Sequence, residues 1–191
     1  MLKNLILLPF FSFLIISLIP KNKINLIKQL SLCFSLVIFF YSLIILDSIQ
    51  FNLLDYKYYL NFDYIFNIQY IMGIDFISAF LIVLMAILVP MCILTNWESV
   101  KYRFKDFTLI LFLLEFLVIN LFLSLDIVFF YIFFQAVLIP MFLMIGIWGS
   151  RQRKIHAVYQ FFFLYFFWFY FYAISFNNNL FTCWFNLYKL C

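Results

Sequence analysis

The stretch from Phe76 to Leu94, FISAFLIVLMAILVPMCIL, carries no charged side chain. Runs of this kind recur along the chain and limit what it can fold into. About 20 apolar residues in helical form cross the ~30 Å hydrocarbon core of a bilayer, whereas helices of soluble cores seldom need that length. Of the 191 residues, 69% are hydrophobic and 10% charged, against roughly half and a quarter in soluble domains. An all-α, polytopic membrane protein follows, forming a single membrane domain over residues 1–191. Apolar length against charged breaks predicts six spans, at about 4–20, 29–46, 74–96, 107–125, 127–148 and 157–175. The fourth and fifth nearly touch, so they form a tight hairpin at SLDI, with Asp126 at the turn.

Thirty-one Phe beside three Gly is unusual where small residues normally let helices approach. Phe, Ile, Tyr, Asn and Lys share AT-rich codons, so the bias reads as that of an AT-rich organellar genome, with much of the Phe facing lipid. One Lys precedes the first apolar run, but that run is long and no small-residue cleavage site follows, so it reads as a retained span. No Arg- and Ser-rich transit peptide is present, in keeping with synthesis inside the organelle. Cys33, Cys92, Cys183 and Cys191 are far apart and lack metal-binding spacing, and His156 is the only histidine. A bis-histidine haem site within the chain is thereby excluded.

Charge alternates between loops. Lys21, Lys23 and Lys28 follow the first span; Asp47, Asp55 and Asp63 outweigh Lys57 after the second; Lys101, Arg103 and Lys105 outnumber Glu98 and Asp106 after the third; Arg151, Arg153 and Lys154 follow the fifth. Basic loops collect on the inner side, which puts the N-terminus outside. The second loop, 47–73, has aromatic spacing in YYLNFDYIFNIQYI that suits an interfacial helix. Residues 176–191 are too short for a span and read as an outer tail.

Glu115 interrupts the fourth span near its middle, where an ionisable group costs of order 2.5–3.5 kcal/mol on insertion scales. Thr108 lies two turns earlier on the same face, so the two suit one polar track; Asn120 is about 140° away around the helix. A buried carboxyl of this kind serves a proton pathway, or pairs with a cation on a neighbouring subunit. On span five, Gln135 can hydrogen-bond but cannot titrate, and Tyr131 stands one turn before it. Pro140 removes the donor for the Ala136 carbonyl and bends the helix just beyond. Such breaks line wet cavities in some bundles and merely bend helices in others. Asp75 is placed to cap span three. Gly146 and Gly149, beside Trp148 and the basic turn, suit an interfacial helix end.

The ordered blocks MGIDFISAFLIVLMAILVPMCIL, LLEFLVINLFLSLDIVFFYIFFQAVLIPMF and IGIWGSRQRKIHAVYQFFFLY resemble the N-terminal part of the subunit 4 family of respiratory complex I, the proton-pumping NADH:ubiquinone oxidoreductase. The match is strong from about Gly73 to Tyr165. The resemblance implies an antiporter-like bundle of inverted repeats, of which this chain holds part, and outer-side termini. It implies a multi-pass place in the mitochondrial inner membrane among the other membrane subunits of complex I, with no cofactor on this chain and no nucleic-acid partner. It also implies a mid-membrane Glu eleven residues before Asp126, matched by Glu115. Nine residues after Asp126 the family has a proton-transferring Glu; here Gln135 stands there, and its amide carries no charge. The chain stops before the family's lysine-bearing helices, so a second chain supplies the rest or the fragment is retained for architecture. NADH oxidation and ubiquinone reduction belong to the whole complex. The proton-pathway set implied is Glu115, Gln135, Thr108 and Tyr131, with Pro140 as the helix break. An independent small ion transporter is the remaining reading, weakened by the absence of evident repeats.

Overall fold

The computed structural model describes residues 2–20, 23–48, 58–64, 68–100 and 103–149, and positions 156, 158–160, 162, 163, 165, 167 and 170. The sixth predicted span is described only at those last positions. The basic turn at 151–154, Lys21, Lys101, Asp55, Lys57, the outer tail and Cys183 and Cys191 lie outside the described residues. Two compact units are present, Met1–Met144 and Ile145–Cys191. In the second, a methyl group of Val158 lies 3.9 Å from where a Cβ on Gly146 would stand.

The first unit carries α1 (Leu2–Leu18), α2 (Ile24–Ser48), β1 (Tyr58–Tyr64), β2 (Ile68–Ile74), α3 (Phe76–Thr95), α4 (Phe104–Leu123) and most of α5 (Ile127–Trp148). The architecture is that of a polytopic helical membrane protein. Helices α2, α3, α4 and α5 are long and apolar enough to cross a bilayer. The 17 residues of α1 measure about 25 Å, near the short end of spanning lengths. Helix α2 begins at Ile24, earlier than its apolar run, because Asn25, Lys28 and Gln29 continue the helix beyond the apolar segment.

The helices pack through small residues. Ile27, Ser31, Ser35, Ile38, Ser42 and Ile45 are the buried residues of α2, and Ala79, Ile82, Ala86, Val89 and Ile93 recur on α3. Steps of three and four give one narrow seam on each helix, and α2 and α3 pack against each other. The serines add little polar cost because each hydroxyl donates within its own helix: Ser31 to Lys28 O (2.9 Å), Ser35 to Leu32 O (2.9 Å) and Ser42 to Phe39 O (2.7 Å). Phe40, Phe80, Leu84 and Met91 point outward, the lipid side in a bilayer. Ser35→Phe forces a ring into this seam and is expected to destabilise the bundle by about 1–3 kcal/mol, with Ser35→Ala near neutral. Thermal dissociation of the detergent-extracted assembly measures both.

The second loop corrects the interfacial-helix expectation. Residues 58–64 and 68–74 pair as antiparallel strands, with Tyr58 opposite Ile74, Phe62 opposite Tyr70 and Tyr64 opposite Ile68. The sequence of β1 alternates Leu60, Phe62 and Tyr64 with Asn61 and Asp63, a period of two, and is rich in aromatics that favour pleated over helical backbone. Met72 also bridges Ser124, joining the second loop to the α4–α5 turn. Asp75 then starts α3 in a capping box: the Ser78 amide donates to Asp75 Oδ1 (2.8 Å) and the Asp75 amide to Ser78 Oγ (3.0 Å).

The opposite end of the bundle is tied by two lysines. Lys28 Nζ donates to the Trp97 carbonyl and sits 5.4 Å from the Trp97 ring centroid and 5.1 Å from that of Phe104. Lys105 Nζ donates to Ser17 O (2.7 Å) and Ile19 O (2.6 Å), where the last carbonyls of α1 lack intrahelical donors and attract positive charge. Loops one and three therefore gather at one end, and loops two and four at the other.

Candidate functional site

Helix α4 is the most enclosed of the spanning helices: 44% of its apolar window is buried within the chain, against 6% for α5. It packs on α1 and α3, and more lightly on α2 and β2. Being surrounded, it buries residues on more than one side, and Phe104, Thr108, Phe112, Glu115, Ile119, Asn120 and Leu123 are all buried. Asn120, which helix geometry sets well away from Glu115, is thus interior too. Its amide donates to Phe116 O (2.7 Å).

Glu115 is 0% exposed, and neither carboxyl oxygen has a hydrogen-bond partner among the described residues. An ionised carboxylate left this way costs several kcal/mol, so the site calls for a proton, a polar guest or a cationic partner. Thr108 is also 0% exposed, about 10 Å along the same helix. Its hydroxyl donates to Lys105 O (2.9 Å), and Leu111 and Phe112 are buried between the two. The two polar groups share the interior of α4 without touching.

On α5, Tyr131 and Gln135 stand one turn apart, both half-buried. The stacked rings of Phe130 and Phe134, 6.3 Å between centroids, occupy the adjoining strip. Pro140 lies within α5 and leaves the Ala136 carbonyl without its helical donor. The Glu115 carboxyl forms no hydrogen bond with Tyr131 or Gln135. Among the described residues no group of three or more His, Cys, Asp or Glu side chains could hold a metal ion.

Sequence reasoning singled out Pro140 but passed over Pro9 and Pro90, both within helices and both buried. It also treated the basic loops as topology alone, whereas Lys28 and Lys105 bind specific helix ends. A lysine flanking each helix start, with Trp97 facing one of them across the bundle, was the available signal.

Residues 124–178 match the family model described as NADH:quinone oxidoreductase/Mrp antiporter, transmembrane. NADH-ubiquinone oxidoreductase chain 4 of Acanthamoeba castellanii is 47% identical over 151 residues, covering 74% of this chain and 30% of that protein. Chain 4 of Arabidopsis thaliana is 43% identical over 165 residues, covering 84% and 33%. The chain thus spans about a third of the length of these curated relatives. Among solved structures, a chain of respiratory complex I from Thermus thermophilus superposes with a TM-score of 0.65 at 22% identity, over 83% of this chain and 31% of that one. A chain of an archaeal membrane-bound sulfane sulfur reductase gives 0.68 at 17% identity, over 85% and 33%. Both likenesses concern the fold.

Proposed function

We propose that this chain, which resembles chain 4 of NADH-ubiquinone oxidoreductase over about a third of that protein's length, contributes helices to the proton-translocating membrane arm of such a complex. The observation that carries the reading is the joint one of 43–47% identity to chain 4 relatives and a buried mid-helix Glu115 without a hydrogen-bond partner among the described residues. The arm sits in the mitochondrial inner membrane with the N-terminus on the intermembrane-space side, as the basic loops suggest. The chain acts as one membrane domain of six spans with a short outer tail. Its partners are lipid and the other membrane subunits, including segments equivalent to the remainder of the relatives, carried by a second chain in the split reading. Redox chemistry takes place on other subunits, and proton transfer is the part played here.

In this reading Glu115 is the protonatable group, Thr108 lies along its helix, and Tyr131 and Gln135 form a hydrogen-bonding patch beside the Pro140 break. A carboxyl takes up and releases a proton, whereas the Gln135 amide orients hydrogen bonds without changing charge. Glu115→Gln in the assembled complex is expected to lower the protons translocated per NADH oxidised while NADH oxidation by an artificial acceptor is unchanged. An unaltered stoichiometry would remove Glu115 from the pathway. A second reading, a membrane subunit retained for architecture, is favoured by the neutral Gln135. Unchanged pumping in Gln135→Glu would argue against position 135 limiting transfer, and so against the loss of transfer on which this reading rests.

A further inference from the structure

Helix α5 is nearly bare. Between positions 129 and 144 only Pro140 is buried, and no other described element packs along α5 to the extent that α3 packs on α2 or α4 on α1. Its exposed residues stand on two opposite sides, Phe130 and Phe134 on one, Ile132 and Ile139 about 180° round on the other. The first side presents stacked rings, which suit lipid. The second is different, because Gln135 stands within about 60° of both isoleucines, three residues from one and four from the other.

Ile132, Gln135 and Ile139 therefore form one stripe, stepped as helix-packing residues are. Gln135 lies about 12 Å from the start of the helix, inside the hydrocarbon layer for a span of 22 residues. Its side chain makes no hydrogen bond with any described residue, yet its amide offers two donors and an acceptor. Lipid chains meet none of these, whereas a neighbouring helix with a polar side chain does. Helix α5 has no charged side chain, so an ion brought against Gln135 would stand at bilayer depth without a counter-charge from this helix. About two-thirds of each chain 4 relative has no counterpart in this chain, which is ample length for covering spans.

We propose that the Ile132–Gln135–Ile139 stripe is a docking face for a transmembrane helix of a second polypeptide, one equivalent to a part of the chain 4 relatives absent here, and that this helix sets a neutral hydrogen-bonding side chain opposite Gln135. The inference rests on the reading of this chain as part of a chain 4-like subunit and names the face by which its partner is held. Apolar contacts at Ile132 and Ile139 supply packing, and one neutral hydrogen bond between them fixes register and orientation, as a single buried amide does between paired helices. Gln135 is then a positioning residue for the partner helix.

Photo-cross-linking in native membranes tests it. Ile132→Cys, Ile139→Cys and, as a lipid-facing reference, Phe80→Cys are labelled with a benzophenone maleimide and irradiated, with the unsubstituted chain giving the background from its own cysteines. The two α5 positions are expected to yield adducts with a spanning segment of a polypeptide whose sequence aligns with the chain 4 relatives outside the part matched here, and Phe80→Cys adducts with lipid. Adducts at 132 and 139 with lipid alone, with residues 157–175 of this chain, or with a protein lacking that similarity would overturn the proposal. Gln135→Leu is expected to raise loss of the partner on detergent extraction about threefold, the size of one average interhelical hydrogen bond in a bilayer; unchanged retention would count against the hydrogen bond. Gln135→Glu holding the partner more firmly than the parent chain would reveal a cation opposite and overturn the neutral pairing. Cross-linking reads the neighbour of α5 whether or not protons move, and Glu115→Gln reads proton transfer whatever covers α5, so the two can fail separately.

Discussion

Lys28→Ala is expected to destabilise the α2–α3–α4 end of the bundle by about 2–4 kcal/mol, combining a charge-assisted hydrogen bond with partial loss of two cation–π contacts. The ammonium donates to the Trp97 carbonyl, just past the end of α3, and lies over the rings of Trp97 and Phe104. One side chain therefore holds the start of α2, the end of α3 and the start of α4. Its half-buried position keeps the interactions from being screened as fully exposed pairs are. Trp97→Leu separates the contributions, because it removes a ring and leaves the backbone acceptor. Its expected cost is smaller, and the Lys28→Ala/Trp97→Leu double variant is expected to be less destabilised than the sum of the singles. Thermal dissociation of the assembly, with proteolysis between α3 and α4 as a local probe, measures both. Equal costs for Lys28→Ala and for Lys23→Ala, an exposed lysine just before α2, would reduce Lys28 to a topological charge.

The helical, membrane-spanning character of the chain was legible because bilayer thickness imposes length and apolarity on every span, and runs such as 76–94 meet both. The cap at Asp75 was legible because it depends on residues within one turn. The strand pair of β1 and β2 was harder: its aromatic residues suit an interface in either form, and the choice of strand rests on pairing with a second segment and on the Met72–Ser124 bridge. At the candidate site, the depth of Glu115 could be counted from the sequence. Which sides of α4 are covered could not, since that depends on three other helices, and so the burial of Asn120 was missed. The same limit hid the burial of Pro9 and Pro90, which depends on the neighbouring helices.

Glu115→Leu separates stability from function most sharply. The carboxyl is buried with no hydrogen-bond partner among the described residues, and removing such a group in favour of an apolar side chain of similar size relieves an unsatisfied-polar cost of about 1–3 kcal/mol. The neighbours Leu111, Phe112 and Ile119 are buried and apolar, so leucine suits the space they leave. The variant is expected to gain up to about 2 kcal/mol of stability while protons translocated per NADH oxidised fall at least as far as in Glu115→Gln. A structural carboxyl, paired with a cation from a neighbouring subunit, requires the reverse: Glu115→Leu would strand that cation at a cost of about 3–5 kcal/mol and loosen the assembly. Thermal dissociation and proton stoichiometry measured on the same preparation therefore give opposite signs for the two roles.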